Sequence, residues 1–177
     1  EPLCRNARHA FRCATGGGTK ARSADLERAW ARLHAECGCH AERQVHVPGW
    51  DRWRWHCRRC NARGTQPSPP TGPCGSRGAA LEVKREEAVL DLEVQGAGLP
   101  RTFFDVTVRY SVPGDAEGLA AAAARDRAVN RKAEADKRSR YPAGQTPWRA
   151  VPLALETCGR HGLSALQHLC MLARSRA

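Results

Sequence analysis

Two stretches in the second half of the chain, Val89-Leu90-Asp91-Leu92-Glu93-Val94 and Phe103-Phe104-Asp105-Val106-Thr107-Val108, alternate apolar and polar positions, the period-two pattern of half-buried strands. Successive side chains of a strand point to opposite faces. Asp91 and Glu93 therefore share one face of the first strand, and Phe103, Asp105 and Thr107 one face of the second. The intervening Gln95-Gly96-Ala97-Gly98-Leu99-Pro100 reads as a turn. An antiparallel hairpin centred on Gly98 sets Asp91 directly opposite Asp105.

Like charges opposed across a sheet destabilise it by roughly 0.2–1 kcal/mol unless a cation or a shared proton relieves them. A hard divalent ion suits two carboxylates; a different register would instead leave both aspartates on a solvated edge. Downstream, an alanine-rich helix is expected from Ala120 to about Arg140, stopped by Pro142 and Gly144. Asp126, Asn130, Glu134, Lys137 and Tyr141 recur at helical spacing and form one stripe along it. Such stripes are commonly solvated, but a lysine and a tyrosine beside a carboxylate pair suit phosphate contact. Val151 to Glu156 reads as a short buried strand. A closing amphipathic helix follows, with Leu163, Leu166, Leu169 and Cys170 on its apolar face and His161 and His168 expected at the surface. Strand, strand, helix, strand, helix is an α/β order.

The first third is different in character. Ser23 is a plausible N-cap for a helix whose Leu26, Trp30, Leu33 and Cys37 recur at packing intervals as far as Gly38. Cys37-Gly38-Cys39-His40 and His56-Cys57-Arg58-Arg59-Cys60 are paired clusters of soft ligands. Tetrahedral zinc through Cys37, Cys39, Cys57 and Cys60 is one reading, with His40, His56 and Cys74 as competing ligands; free buried cysteines are the other. Cys4, His9 and Cys13 carry three positions of a zinc knuckle whose fourth ligand would precede Glu1. Between the clusters, Trp50-Asp51-Arg52-Trp53-Arg54-Trp55 interleaves aromatics with arginines, as a base-stacking surface would and as a small strand core would also. Residues 61–78 are rich in Pro, Gly, Ser and Thr and read as a linker, and Ala79 to Glu87 as a first helix or a strand lead-in. The expected division is a Cys/His-rich region 1–60, a linker 61–78 and an α/β domain 79–177.

Twenty-nine Lys and Arg against 18 Asp and Glu leave a net charge of +11, which favours a polyanionic partner. Arg52, Arg54, Arg58, Arg138 and Arg140 are the expected phosphate contacts. No run approaches the about 20 apolar residues that span a bilayer, and no signal-peptide pattern opens the chain, so an intracellular, non-membrane protein is expected. The opening Glu1-Pro2-Leu3-Cys4 lacks an initiator methionine, and a fragment of a longer polypeptide is expected.

At Asp91, at Asp105 with Val106 and Val108, and at Lys137 with Arg140 and Tyr141, the sequence resembles the PD-(D/E)XK restriction-like nucleases, most closely the restriction-like endonuclease domain of non-LTR retrotransposons. The resemblance continues through Val151 to Thr157 and Gly159-Arg160. Leu90 stands where the family has proline and Thr107 where the general motif has a strand lysine, so Lys137 must substitute from the helix. The resemblance implies a restriction-endonuclease-like mixed sheet flanked by helices. It implies Mg²⁺ or Mn²⁺ on Asp91 and Asp105, with Lys137 and Tyr141 completing the catalytic set. The implied activity is nicking of target DNA in the nucleus for a retroelement whose RNA is a further partner and whose polymerase belongs to the parent polypeptide. The alternative is a decayed nuclease fold, or a zinc-stabilised module, that binds nucleic acid without cutting it.

Overall fold

The computed structural model describes residues 18–75, 78–110 and 116–175. It is an α/β structure around a mixed four-stranded sheet. Helix α1 (Gly18–Glu36) leads into β1 (Cys39–His46). A separate excursion contains β2 (Arg52–His56), β3 (Arg63–Gln66) and β4 (Glu82–Glu86). The hairpin β5 (Val89–Gly96) and β6 (Leu99–Arg109) follows, then α2 (Ala116–Ala124), α3 (Ala128–Arg140), β7 (Arg149–Glu156) and α4 (Leu163–Ser175).

The main sheet has the order β1-β5-β6-β7, antiparallel except for the parallel pair β6–β7. A parallel neighbour needs a crossover, and α2 and α3 supply it. The pairings Leu92↔Phe104 and Glu93↔Phe103 have the register of a hairpin centred on Gly98. The second sheet, β3-β2-β4, is wholly antiparallel. Residues on both sides of 61–78 therefore share one sheet: β1, from the first 60 residues, pairs along β5 from His46↔Val89 to Cys39↔Gly96.

Alternation divides the core. Leu92, Val94, Phe104, Val106, Val151 and Leu153 pack with Trp30 of α1 and Ala165 of α4. Phe103 packs with Trp50, Val47, Ala88 and Leu90, with Tyr141 and Trp148 against them. Trp50 is thus core, and its ring meets Phe103 edge-on at a centroid distance of 5.8 Å.

Three local expectations are corrected. The expected single helix over 120–140 is two, broken at Arg127 with φ of 56°. Asp126 falls in the break and pairs with Arg160 at 2.9 Å instead of extending the stripe. The buried face of α4 is Ser164, Ala165, His168 and Leu172, while Leu163 and Cys170 are exposed. His168 is buried because a second histidine meets its polar edge. His34 of α1 and His168 approach through their Nε2 atoms at 2.7 Å, and His34 Nδ1 lies 2.7 Å from the Trp30 carbonyl. A carbonyl only accepts, so His34 carries its proton on Nδ1 and accepts at Nε2 from the Nε2–H of His168.

Glu134 joins α3 to α4. Its carboxylate accepts the Ser164 N–H at 3.0 Å, satisfying a free donor in the first turn of α4 and placing negative charge at that helix's positive end. Gly162 makes the approach possible, since a Cβ there would lie 2.3 Å from Glu134 Oε1.

Burial pushes His34 below the ordinary histidine range; burial, then the neighbouring His34 and Arg149, push His168 down to about 4. The unfolded chain therefore takes up protons first, and this pair's contribution to stability falls as pH drops from about 6.5 toward 4. Replacing both rings, His34→Leu/His168→Leu, should flatten that component and cost about 1 kcal/mol or less at pH 7, since both partners leave together. Urea unfolding midpoints at pH 7 and pH 5 measure it.

Candidate active site

The ladder between β5 and β6 stops at Leu92↔Phe104, one residue before Asp91 would meet Asp105. Beyond that point the Val106 N–H is bonded by a side chain, donating to Asp91 Oδ2 at 2.6 Å. On the other flank of β5, Gln44 is the residue that the register sets opposite Asp91; it drops out of the ladder with φ of 56°. A non-glycine residue in the left-handed region is held there by its surroundings at a cost of order 1 kcal/mol. Asp91 is thus bordered by irregular backbone on both sides, which opens the sheet around its carboxylate.

The helical stripe closes over this opening. Lys137 of α3 places its ammonium 2.7 Å from one oxygen of Asp105 and 2.8 Å from the other. Tyr141, at the C-terminal end of α3, donates its hydroxyl to Asp105. Asn130 and Glu134 are buried, Asn130 donating to the Arg160 carbonyl at 3.1 Å. From Asn130 to Tyr141 the stripe therefore faces protein.

The electrostatics identify an excess of negative charge. Burial first, then the nearby Asp105, raise Asp91 to about 7; Glu27 raises it further, whereas the Val106 N–H and Lys137 oppose the shift. Burial and Asp105 likewise push the Tyr141 hydroxyl up. Lys137 balances one carboxylate of the pair, while burial and the neighbouring charge keep a proton on the other up to about pH 7. Hard oxygen donors in this state fit a divalent cation of the magnesium class.

Two participants escaped the sequence reading. Glu27 of α1 is buried and accepts from Gln44 Nε2 at 2.9 Å and Arg43 at 3.2 Å; the same Gln44 amide lies 3.3 Å from Asp91. The available signal was spacing: Glu27, Trp30 and His34 are three and four residues apart, which puts the glutamate on the packed face of α1. For Gln44 there was none, because its place depends on the pairing of β1 with β5.

The arginines expected on nucleic acid each contact a neighbouring group of the protein, with Arg54, Arg58 and Arg138 remaining exposed. Arg52 donates to the carbonyls of Ser139 and Arg140, capping α3. Arg54 pairs with Glu86 and Arg58 with Glu82. Arg138 donates to Glu134 at 3.1 Å and to Ser164 Oγ at 2.8 Å, and Arg140 lies 5.8 Å from the centre of the Tyr141 ring. Trp53 and Trp55 are half-buried in β2.

The expected four-cysteine set is also corrected. Cys57 and Cys60 come together with Cys74, their sulfur atoms all within 4.8 Å of one another, a group able to hold a metal ion. Cys39 is buried on the main sheet, with its thiol toward the Gly96 carbonyl at 3.7 Å and pushed up by burial. Cys37 ends α1 beside it, so strand pairing carries both away from the cluster. Cys4, His9 and Cys13 lie outside the described residues. Among the described residues no helix is long and apolar enough to cross a membrane.

No family model, curated protein or solved structure matches the chain.

In the metal-free protein Asp91 holds its proton to higher pH when folded than when unfolded, so its contribution to stability falls as pH rises from about 4 through about 7. Asp91→Asn, which keeps an acceptor for Val106, should therefore raise the melting temperature at pH 8, by about 2–4 °C per kcal/mol recovered. Added Mg²⁺ should stabilise the parent protein and leave this variant unmoved. Thermal denaturation with and without Mg²⁺ checks both.

Proposed function

We propose that the chain is a metal-dependent endodeoxyribonuclease of restriction-endonuclease-like fold, which nicks target DNA for a retroelement. The observation that carries this reading is the convergence of Asp91, Asp105, Lys137 and Tyr141 where β5 and β6 part. The mixed sheet with α3 in the β6–β7 crossover supports the fold assignment. The charge of +11 supports a polyanionic substrate.

Asp91 and Asp105 are the residues that would hold Mg²⁺ or Mn²⁺, with Glu27 behind them through Gln44. Such an ion supplies Lewis acidity toward a phosphoryl oxygen and makes its bound water a stronger acid. Lys137 fixes Asp105 in the metal-free protein, and its ammonium is placed to steady a phosphate oxygen or an attacking hydroxide. Tyr141 keeps its proton at neutral pH, which makes it a donor to a phosphate oxygen. A groove of about 440 Å³ beside Tyr141, bordered by Arg138, Gly144, Trp148 and Arg149, offers a path for the substrate backbone.

The same reading makes DNA the substrate, RNA of the element a further partner and the nucleus the site of action. A polymerase in the parent polypeptide would use the nick as its primer. The rival reading, a fold that binds nucleic acid without cutting it, differs in one observable. A supercoiled-plasmid assay with Mg²⁺ and without added divalent cation should reveal nicking only in the first case. Asp105→Ala and Lys137→Ala should each lower the nicking rate by about 10²–10³-fold while DNA binding changes little. Metal-independent binding with no nicking by the parent protein favours the rival.

A further inference from the structure

The sheet β3-β2-β4 lacks the ordinary means of staying folded. Among the described residues of 52–87, Cys57 is the one buried side chain. Inside the sheet Trp55 lies over Gly64, where a Cβ would come within 2.7 Å of the ring. Three short strands with so little apolar burial need a staple.

Two segments at its end share a hydrogen bond and a left-handed residue at matching positions. In the first, the Cys57 N–H donates to the Ala62 carbonyl at 2.8 Å, and Asn61 has φ of 58°. In the second, the Cys74 N–H donates to the Ala79 carbonyl at 3.0 Å, and Gly78 has φ of 70°. The sequences align position for position, Cys57-Arg58-Arg59-Cys60-Asn61-Ala62 with Cys74-Gly75-Ser76-Arg77-Gly78-Ala79. The sulfur atoms of Cys57, Cys60 and Cys74 lie within 4.8 Å of one another, and Cys60 Sγ is 3.5 Å from Cys74 Sγ. Metal–thiolate bonds of about 2.3 Å in a tetrahedron put sulfur atoms about 3.8 Å apart, whereas a disulfide needs about 2.05 Å. None of the three is joined in a disulfide.

We propose that Cys57, Cys60 and Cys74 bind one thiophilic divalent cation of the zinc class as three thiolates, and that this ion holds β2, β3 and β4 together. Among the described residues a fourth protein ligand is missing from the group; in the sequence the counterpart of Cys60 is Arg77, which lies outside them. His56 does not replace it, since its ring nitrogens lie toward Asn61 and Glu82. A small exogenous ligand completes the tetrahedron. Because the thiols must ionise, binding releases protons and tightens with rising pH. None of this depends on the nuclease reading.

The test uses the full chain in a Cys4→Ser/Cys13→Ser background under reducing conditions, so that the N-terminal cysteines hold no metal. Titration with Zn²⁺, and with Co²⁺ to read sulfur-to-metal charge-transfer absorption, should give one ion per chain. Cys60→Ser and Cys74→Ser should each weaken binding at least tenfold, and Cys37→Ser should leave it unchanged. Arg77→Cys, which completes the second turn and removes no native ligand, should tighten binding at least tenfold. Hydrogen exchange should show 52–66 and 82–86 losing protection without metal while 89–109 and 149–156 keep theirs. Absence of binding, or equal binding in Cys60→Ser, Cys74→Ser and the parent, overturns the site. Unchanged protection of 52–66 and 82–86 on metal removal overturns its role as the staple.

Discussion

Two carboxylates confined beside one ammonium set the terms for the rest of this molecule. Asp91 and Asp105 are brought together by a register that the main sheet enforces from Leu92 to Val94, and they repel. The sheet accommodates them by giving up its ladder at that point and letting Asp91 bond the Val106 N–H. Lys137 then compensates Asp105, which ties the last turn of α3 to the sheet, and Arg109 of β6 adds a second ion pair to Asp136 of α3 at 3.8 Å. The packing of α3 follows from this. Its polar stripe faces inward, with Asn130 and Glu134 buried and bonded to the chain around α4.

Residues distant in sequence are recruited to the same place by the edge strand. Pairing of β1 with β5 brings Gln44 opposite Asp91, and α1 packs behind them with Glu27. The first described helix and strand are consequently part of the site's wall. The buried His34–His168 contact adds a second polar tie, between α1 and α4, on the opposite side of Phe104 from the carboxylates. Such contacts are satisfied only in one arrangement of the helices, and each therefore contributes to specifying that arrangement.

The small sheet touches the site at the far end of α3. Arg52, the first residue of β2, donates to the carbonyls of Ser139 and Arg140, just beyond Lys137 and just before Tyr141. Asp51, next to it, is buried and bound to the Ala88 N–H at 2.7 Å and to Arg85. Order in β2 is thereby linked to the position of the helix end that carries the lysine and tyrosine. Arg52, bonded to backbone carbonyls, is withdrawn from the positive surface by this contact.

The alternation around Asp91 and Asp105, the equal spacing about Gly98 and the helical recurrence of Asn130, Glu134, Lys137 and Tyr141 were legible in the chain because each is a local periodicity, set by the geometry of one strand, one turn or one helix. The same local rules failed where a partner far along the chain decides burial. His168 reads as polar until His34 covers it, and Cys37 and Cys39 read as ligands until the end of α1 holds the first and β1 draws the second onto β5. Cys74 reads as one of several competing ligands until the fold brings its sulfur beside those of Cys57 and Cys60. Which face of a helix is inside, and which like-spaced ligands meet, are properties of contacts between elements. Only the assembled sheets, with β1 beside β5 and the two cysteine turns brought together, could decide them.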